Sequence, residues 1–94
     1  MLSVMYEIRV SNRFKKQVKL CVKRGLDILL LEEAIDILSK TGTLPPSYRS
    51  HKLSGNYDGF WECHIKGDWL LIWEQNNAEL YLLFIGTGSH SDLF

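Results

Sequence analysis

The chain lacks most of the features that would place it in a class at once. It has no net charge, because eleven Lys and Arg balance eleven Asp and Glu. No protein-wide field therefore selects a polyanion or a polycation as partner. It has only two cysteines, Cys21 and Cys63, both in apolar positions and without metal-site or redox spacing. A disulfide-stapled scaffold is excluded, and reduced core thiols in a cytoplasmic protein are expected. No apolar run is long enough to cross a bilayer, and Glu7 stands where a signal peptide would need an apolar core. Repeats, low-complexity segments and linkers are missing as well. What remains is 94 residues, 46% of them hydrophobic, which is enough for one core and one domain over 1–94.

The neutral total hides a lopsided distribution. Residues 1–24 hold Arg9, Arg13, Lys15, Lys16, Lys19, Lys23 and Arg24 against the single acid Glu7. That end can meet a polyanion, or it can simply be a solvated helix face.

Val4, Tyr6, Ile8 and Val10 alternate with polar neighbours, which predicts a strand over 4–10. Ser11 is a helix cap, followed by Phe14, Val18, Cys21 and Val22 at helical spacing, with Gly25 as the stop. Asp27 opens a second, acidic helix whose stripe is Leu31, Ala34, Ile35 and Leu38, ending at Gly42. A basic and an acidic helix joined by a short turn suggest a helical hairpin bridged by weak exposed ion pairs. Residues 43–56, with Pro45-Pro46 and Gly55, read as a loop. Three strands are expected at 59–65, 68–74 and 79–85, joined at Lys66-Gly67 and at Gln75-Asn76-Asn77. Residues 86–94 form a tail with room for one helical turn. The order predicts an α+β fold: N-terminal strand, helical hairpin, then an antiparallel three-stranded meander, with one sheet face left free for a site.

The residues that carry chemistry gather in the second half. His51, His64 and His90 are the only histidines, and the carboxylates Glu62 and Asp68 flank the strand that carries His64. Imidazoles titrate near neutral pH, which suits proton transfer. Imidazoles and carboxylates around a phosphodiester can take the proton of a ribose 2′-hydroxyl and return one to the leaving 5′-oxygen. Such a cleavage needs no metal where cations stabilise the phosphorane. A zinc site is the competing reading, but these spacings match no zinc pattern, so no metal or other cofactor is expected. Trp61, Trp69 and Trp73 all read as core before base stacking, and of the three Trp69, beside Asp68 at a strand start, is the best candidate for stacking.

These residues also carry a resemblance. His51-x-Leu53-x-Gly55-x-Tyr57-x-Gly59, Glu62-Cys63-His64-Ile65, Asp68-Trp69-Leu70-Leu71-Ile72 and the closing Thr87-Gly88-Ser89-His90-Ser91-Asp92-Leu93-Phe94 are similar to the YafQ-type toxins of the RelE/ParE superfamily. The resemblance spans nearly the whole chain. It implies a toxin of a type II toxin–antitoxin system, an endoribonuclease that cuts mRNA in the ribosomal A site by metal-free 2′-hydroxyl attack. It implies a cognate antitoxin, the ribosome and mRNA as partners, and no membrane. It carries active-site roles to His51, His64, Asp68, Trp69, His90 and Phe94, with Glu62 at a usually acidic position. It departs at Ser50, where an aspartate is expected, at Gly67 for a proline, at Trp73 for a tyrosine, and at Trp61 and Gly86 for arginines. Arg49, Lys52 and Lys66 are the cations that can compensate at the phosphate, and Lys15, Lys16 and Lys19 are those expected to touch ribosomal RNA. Two further readings share the fold: a gyrase-binding toxin of the ParE branch, which has no use for three histidines together, and a weakened paralogue that mainly binds antitoxin.

Overall fold

The computed structural model describes residues 5–94. Ten short segments order themselves around one mixed sheet. β1 is Glu7–Val10, and α1 (Asn12–Lys23) and α2 (Ile28–Thr41) follow it. A two-residue strand β2, His51–Lys52, lies between 3₁₀ turns at Pro46–Tyr48 and Gly55–Tyr57. The meander is β3 (Trp61–Lys66), β4 (Trp69–Asn76) and β5 (Tyr81–Gly88), and α3 (His90–Leu93) closes the chain. Strand order is β1-β5-β4-β3-β2, with β1 parallel to β5 and the other pairs antiparallel.

The expected caps hold both helices. The Ser11 side chain accepts from Phe14 N and starts α1, and Asp27 accepts from Leu29 N and starts α2. Gly42 ends α2 at φ 73, with Tyr6 packed so close that a Cβ there would sit 2.6 Å from its hydroxyl. The α2 stripe buries Leu31, Ala34 and Leu38, with Ile35 partly covered. In α1 only Phe14 and Cys21 are buried and Val18 packs beside them. Val22, expected on the same face, is 55% exposed, because it falls at the rim of that stripe.

Strand alternation divides the apolar residues between two faces. Trp61, Cys63, Trp69, Leu71, Trp73, Leu82 and Phe84 face the helices. Burial pushes the Cys63 thiol up to about 12 and raises that of Cys21, so both stay protonated and inert. On the opposite face Leu70, Ile72 and Leu93 form a second cluster, rimmed by Leu53, Phe60 and Ile85. Thr87 ties the faces together: its buried Oγ1 donates to Leu70 O at 2.8 Å and accepts from Trp69 Nε1 at 2.9 Å.

Several expectations are corrected. β1 starts at Glu7 and lies at the sheet edge, so Ile8 and Val10 stay 48% and 39% exposed, while Val4 falls outside the described residues. The β3–β4 turn is Gly67-Asp68, one residue later than expected, with Gly67 at φ 56. β4 runs on to Asn76 and β5 begins at Tyr81. Among the described residues no ion pair joins α1 to α2; Arg24 reaches Asp92 instead.

Thr87→Val keeps the shape of the side chain but leaves the buried Trp69 Nε1–H without an acceptor. The expected cost is about 1–3 kcal/mol of stability, read from urea unfolding.

Candidate functional site

The site lies on the sheet face that carries the second apolar cluster. β3 presents Glu62 and His64 there, in register with Ile72 and Leu70 of β4. β2 adds His51, paired with Glu62, so the first histidine comes from a strand and not from a flexible loop. The Gly67-Asp68 turn places Asp68. Ser89 then caps α3 through a reciprocal bond pair with Asp92, and α3 starts at His90. Leu93, only 3% exposed, plugs the tail into the cluster and leaves His90 and Phe94 outside.

The rings form a row. His51 and His64 are 6.5 Å apart between centroids, His64 and His90 6.5 Å, His90 and Phe94 6.0 Å, and Phe94 packs edge-on against Tyr57 at 5.2 Å. Every imidazole is tied at Nδ1 to an oxygen. His51 Nδ1 lies 3.0 Å from Arg49 O, His64 Nδ1 3.3 Å from Gly67 O, and His90 Nδ1 contacts Asp68 Oδ1. A carbonyl or a carboxylate only accepts, so each Nδ1 carries the proton, and His64 and His90 keep Nε2 without a partner among the described residues. His51 is engaged a second time: its Nε2 is 3.3 Å from Oε1 of the buried Glu62. The hydrogen bond to His90 holds the Asp68 carboxyl below its ordinary range, although both groups are largely exposed. Among the described residues no three His, Cys, Asp or Glu side chains converge as a ligand set.

The other nominated residues divide. Phe94 is 57% exposed at the end of the row. Trp69 is not there: its indole is 5% exposed on the helix side, bonded to Thr87, so it has no face left for a base. The alternation that places Leu71 and Trp73 in the core takes Trp69 with them. Lys52 pairs with Trp61 in register and holds its ammonium 5.6 Å over that ring, on the face away from His51. Lys66 borders a cleft with Gly25, Leu26 and Leu30, also on the helix side. The Arg49 side chain borders a cleft of about 470 Å³ lined by Leu38, Pro45, Trp61 and Trp73; what it offers the histidine row is its carbonyl. Lys15, Lys16 and Lys19 are exposed on α1, as a solvated or docking face requires.

Sequence reasoning missed Tyr57, Arg13 and Arg24. Tyr57 OH donates to Leu93 O at 3.1 Å. Arg13 reaches Tyr57 OH at 3.3 Å and Leu93 O at 3.4 Å, and Arg24 grips Asp92 at 2.6 Å. Each of these contacts spans 36 residues or more, so no local pattern announces it.

A family model described as the bacterial toxin of a type II toxin–antitoxin system, YafQ, matches residues 6–94. The mRNA interferase toxin YafQ of Escherichia coli K12 is 34% identical over 92 residues, 97% of this chain and 98% of that protein. Of solved structures, YafQ in the E. coli DinJ–YafQ toxin–antitoxin complex superposes with a TM-score of 0.87 at 33% identity, covering 97% of this chain and 99% of that one. A metal-bound toxin from Helicobacter pylori does so at 0.87 and 39% identity, covering 96% and 100%.

The Asp92 carboxyl is held down at about 2, first by the Arg24 guanidinium and then by the Ser89 N–H. A depressed folded value stabilises the tail above the ordinary carboxylate range, and that contribution is lost as pH falls through the folded value. Protection of the Phe94 N–H, which bonds to His90 O, is therefore expected to hold at about pH 5. It should fade between about pH 4 and 2. Asp68 titrates in the same direction, so hydrogen exchange is compared in Asp92→Asn and Asp68→Asn. Asp92→Asn should abolish most of the dependence.

Proposed function

The chain belongs to the YafQ family of bacterial type II toxin–antitoxin toxins, and from that premise we propose that it cuts mRNA held in the ribosomal A site, by attack of a ribose 2′-hydroxyl. It is an mRNA interferase, an endoribonuclease. The observation that carries the proposed mechanism is the row of three imidazoles fixed at Nδ1, in which His64 and His90 keep an unencumbered Nε2.

The roles follow from what each ring still has free. His64 has an unengaged Nε2 and takes the 2′-hydroxyl proton. His90, oriented by Asp68, stands one ring away and delivers a proton to the leaving 5′-oxygen. The attacking oxygen, phosphorus and leaving oxygen lie between them in line, and the products are a 2′,3′-cyclic phosphate and a free 5′-hydroxyl. His51 is occupied at both nitrogens, so it and Glu62 hold the near end of the row. Phe94 stacks on or wedges against a base beyond His90. No step is routed through a metal.

Lys52 and Lys66 lie on the far face, so the site itself is poor in fixed positive charge. Free RNA then binds weakly, and the ribosome supplies alignment and much of the affinity. The exposed lysines of α1 are the surface for ribosomal RNA. A cognate antitoxin keeps the toxin silent by covering the histidine row or by adding a strand at the sheet edge. The place of action is the cytoplasm, where translation occurs; no described helix is long and apolar enough to cross a membrane.

Primer extension on mRNA translated in vitro tests the reading. His64→Gln and His90→Gln keep size and hydrogen bonding but cannot carry a proton near neutral pH. Each should slow cleavage by about 10²–10⁴-fold while folding and antitoxin affinity stay at parent values. Intact mRNA in the presence of the parent protein, together with a supercoiling defect, would instead indicate a gyrase binder.

Reversing Lys15, Lys16 and Lys19 to Glu should weaken ribosome binding and flatten its salt dependence. An unchanged salt slope in a sedimentation assay would remove α1 from the contact.

A further inference from the structure

One stripe of α1 is spent on the tail. Arg13, Gln17 and Arg24 are four and seven residues apart, so at about 100° per residue they fall within about 40° of one another. All three reach the end of the chain. Arg13 Nη2 donates to Leu93 O at 3.4 Å, and Gln17 Oε1 accepts from Thr87 N at 3.0 Å. Arg24 Nη1 and Nη2 donate to the two oxygens of Asp92 at 2.6 and 3.2 Å.

The Arg24–Asp92 contact differs from the other ion pairs of Lys or Arg. Among the described residues, Arg9–Glu7 and Lys40–Asp36 are local and exposed on both sides. Arg24–Asp92 is bidentate and spans 68 residues, and its carboxylate side chain is only 19% exposed. Asp92 is also the carboxylate of the capping box: it accepts from Ser89 N at 2.9 Å while Ser89 Oγ accepts from Asp92 N at 3.3 Å. Gly88 passes so close that a Cβ there would lie 2.7 Å from Asp92 Oδ2. Arg24 therefore grips the group that starts α3, and the first residue of α3 is His90.

A helix of four residues has no stability of its own. The His90 side chain is 59% exposed, and among the described residues its ring is hydrogen-bonded only to Asp68. The position of its backbone must come from the elements that clamp α3, which are Leu93 below and Arg24 at the side. We propose that Arg24 is a positioning residue for cleavage, acting through Asp92 and the Ser89 cap to hold His90 in line with His64; this rests on His90 being the proton donor. α1 thus has two jobs on separate faces, with the lysines turned outward and the Arg13–Gln17–Arg24 stripe bracing the site.

The test compares Arg24→Gln, Arg24→Lys, Asp92→Asn, Arg24→Gln/Asp92→Asn and His90→Gln in the translation reaction. Cleavage is followed against toxin concentration. Arg24→Gln should lower the rate at saturation by about 10²-fold with little change in the half-saturating concentration, because a small misplacement of a reacting group has that effect. Arg24→Lys should recover part of the rate, and the double variant should be no worse than its slower parent. Hydrogen exchange on the isolated protein should show loss of protection confined to α3 in Arg24→Gln. A parent rate in Arg24→Gln with an inactive His90→Gln overturns the proposal alone. A shift of half-saturation without change in the saturated rate also overturns it, because Arg24 would then be a ribosome contact. A parent rate in His90→Gln overturns the proposal together with the reading beneath it.

Discussion

The architecture of the site depends on the burial of Leu93. The sheet face opposite the helices has little cover of its own, and Leu70 and Ile72 are sealed there by Leu93, with only the partly buried Leu53, Phe60 and Ile85 at the rim. Covering a leucine contributes about 1.5–3 kcal/mol, comparable with the entropy cost of ordering one or two residues. The tail is therefore held near balance, and the contacts around it matter: Arg13 and Tyr57 on the Leu93 carbonyl, Gln17 on Thr87, Arg24 on Asp92. Without the Leu93 plug, His90 leaves His64 and Phe94 leaves Tyr57. Half of the row would disperse while the helix-side core remained intact.

The second constraint is the way the imidazoles are tethered. Each ring is anchored by an oxygen close in the fold: a carbonyl two residues before His51, a carbonyl three residues after His64, and the turn carboxylate of Asp68 for His90. The tethers differ in kind, and the chemistry divides with them. A neutral carbonyl fixes a tautomer and leaves His64 free to accept. A carboxylate fixes the tautomer through a charge-assisted bond, as at His90, and its own carboxyl is held below the ordinary range by that bond. The buried Glu62 meets the second nitrogen of His51 at 3.3 Å. Little fixed positive charge faces this row, which is what the proposed reliance on the ribosome for alignment rests on.

Much of this could be read from the chain before folding. Alternation in β3 and β4 sorted Cys63, Leu71 and Trp73 from His64, Leu70 and Ile72 without error, because a strand has only two faces. The caps at Ser11, Asp27 and Gly42 were legible because a cap is a local bond with a strong residue preference. The same alternation places Trp69 in the core; its position beside Asp68 at a strand start, and then the resemblance, pointed it to the site instead. β2 escaped notice because two residues carry no period. Its discovery changes Lys52 from a phosphate cation into a residue of the opposite face. The arginines were read as charge on a helix surface, and what Arg24 does is decided by a partner 68 residues away, which no spacing rule sees.

The claim on which the account turns is that His64 meets its substrate with a bare Nε2 because Gly67 O holds the proton on Nδ1. Long-range ¹H–¹⁵N correlation on the imidazole rings of the folded protein tests this most directly, at a pH where the rings are neutral. The account predicts the Nδ1–H tautomer for His64, against the Nε2–H form that a free imidazole prefers. An Nε2–H tautomer at His64 would mean that the ring cannot accept the 2′-hydroxyl proton in this geometry, and the assignment of the base would be wrong.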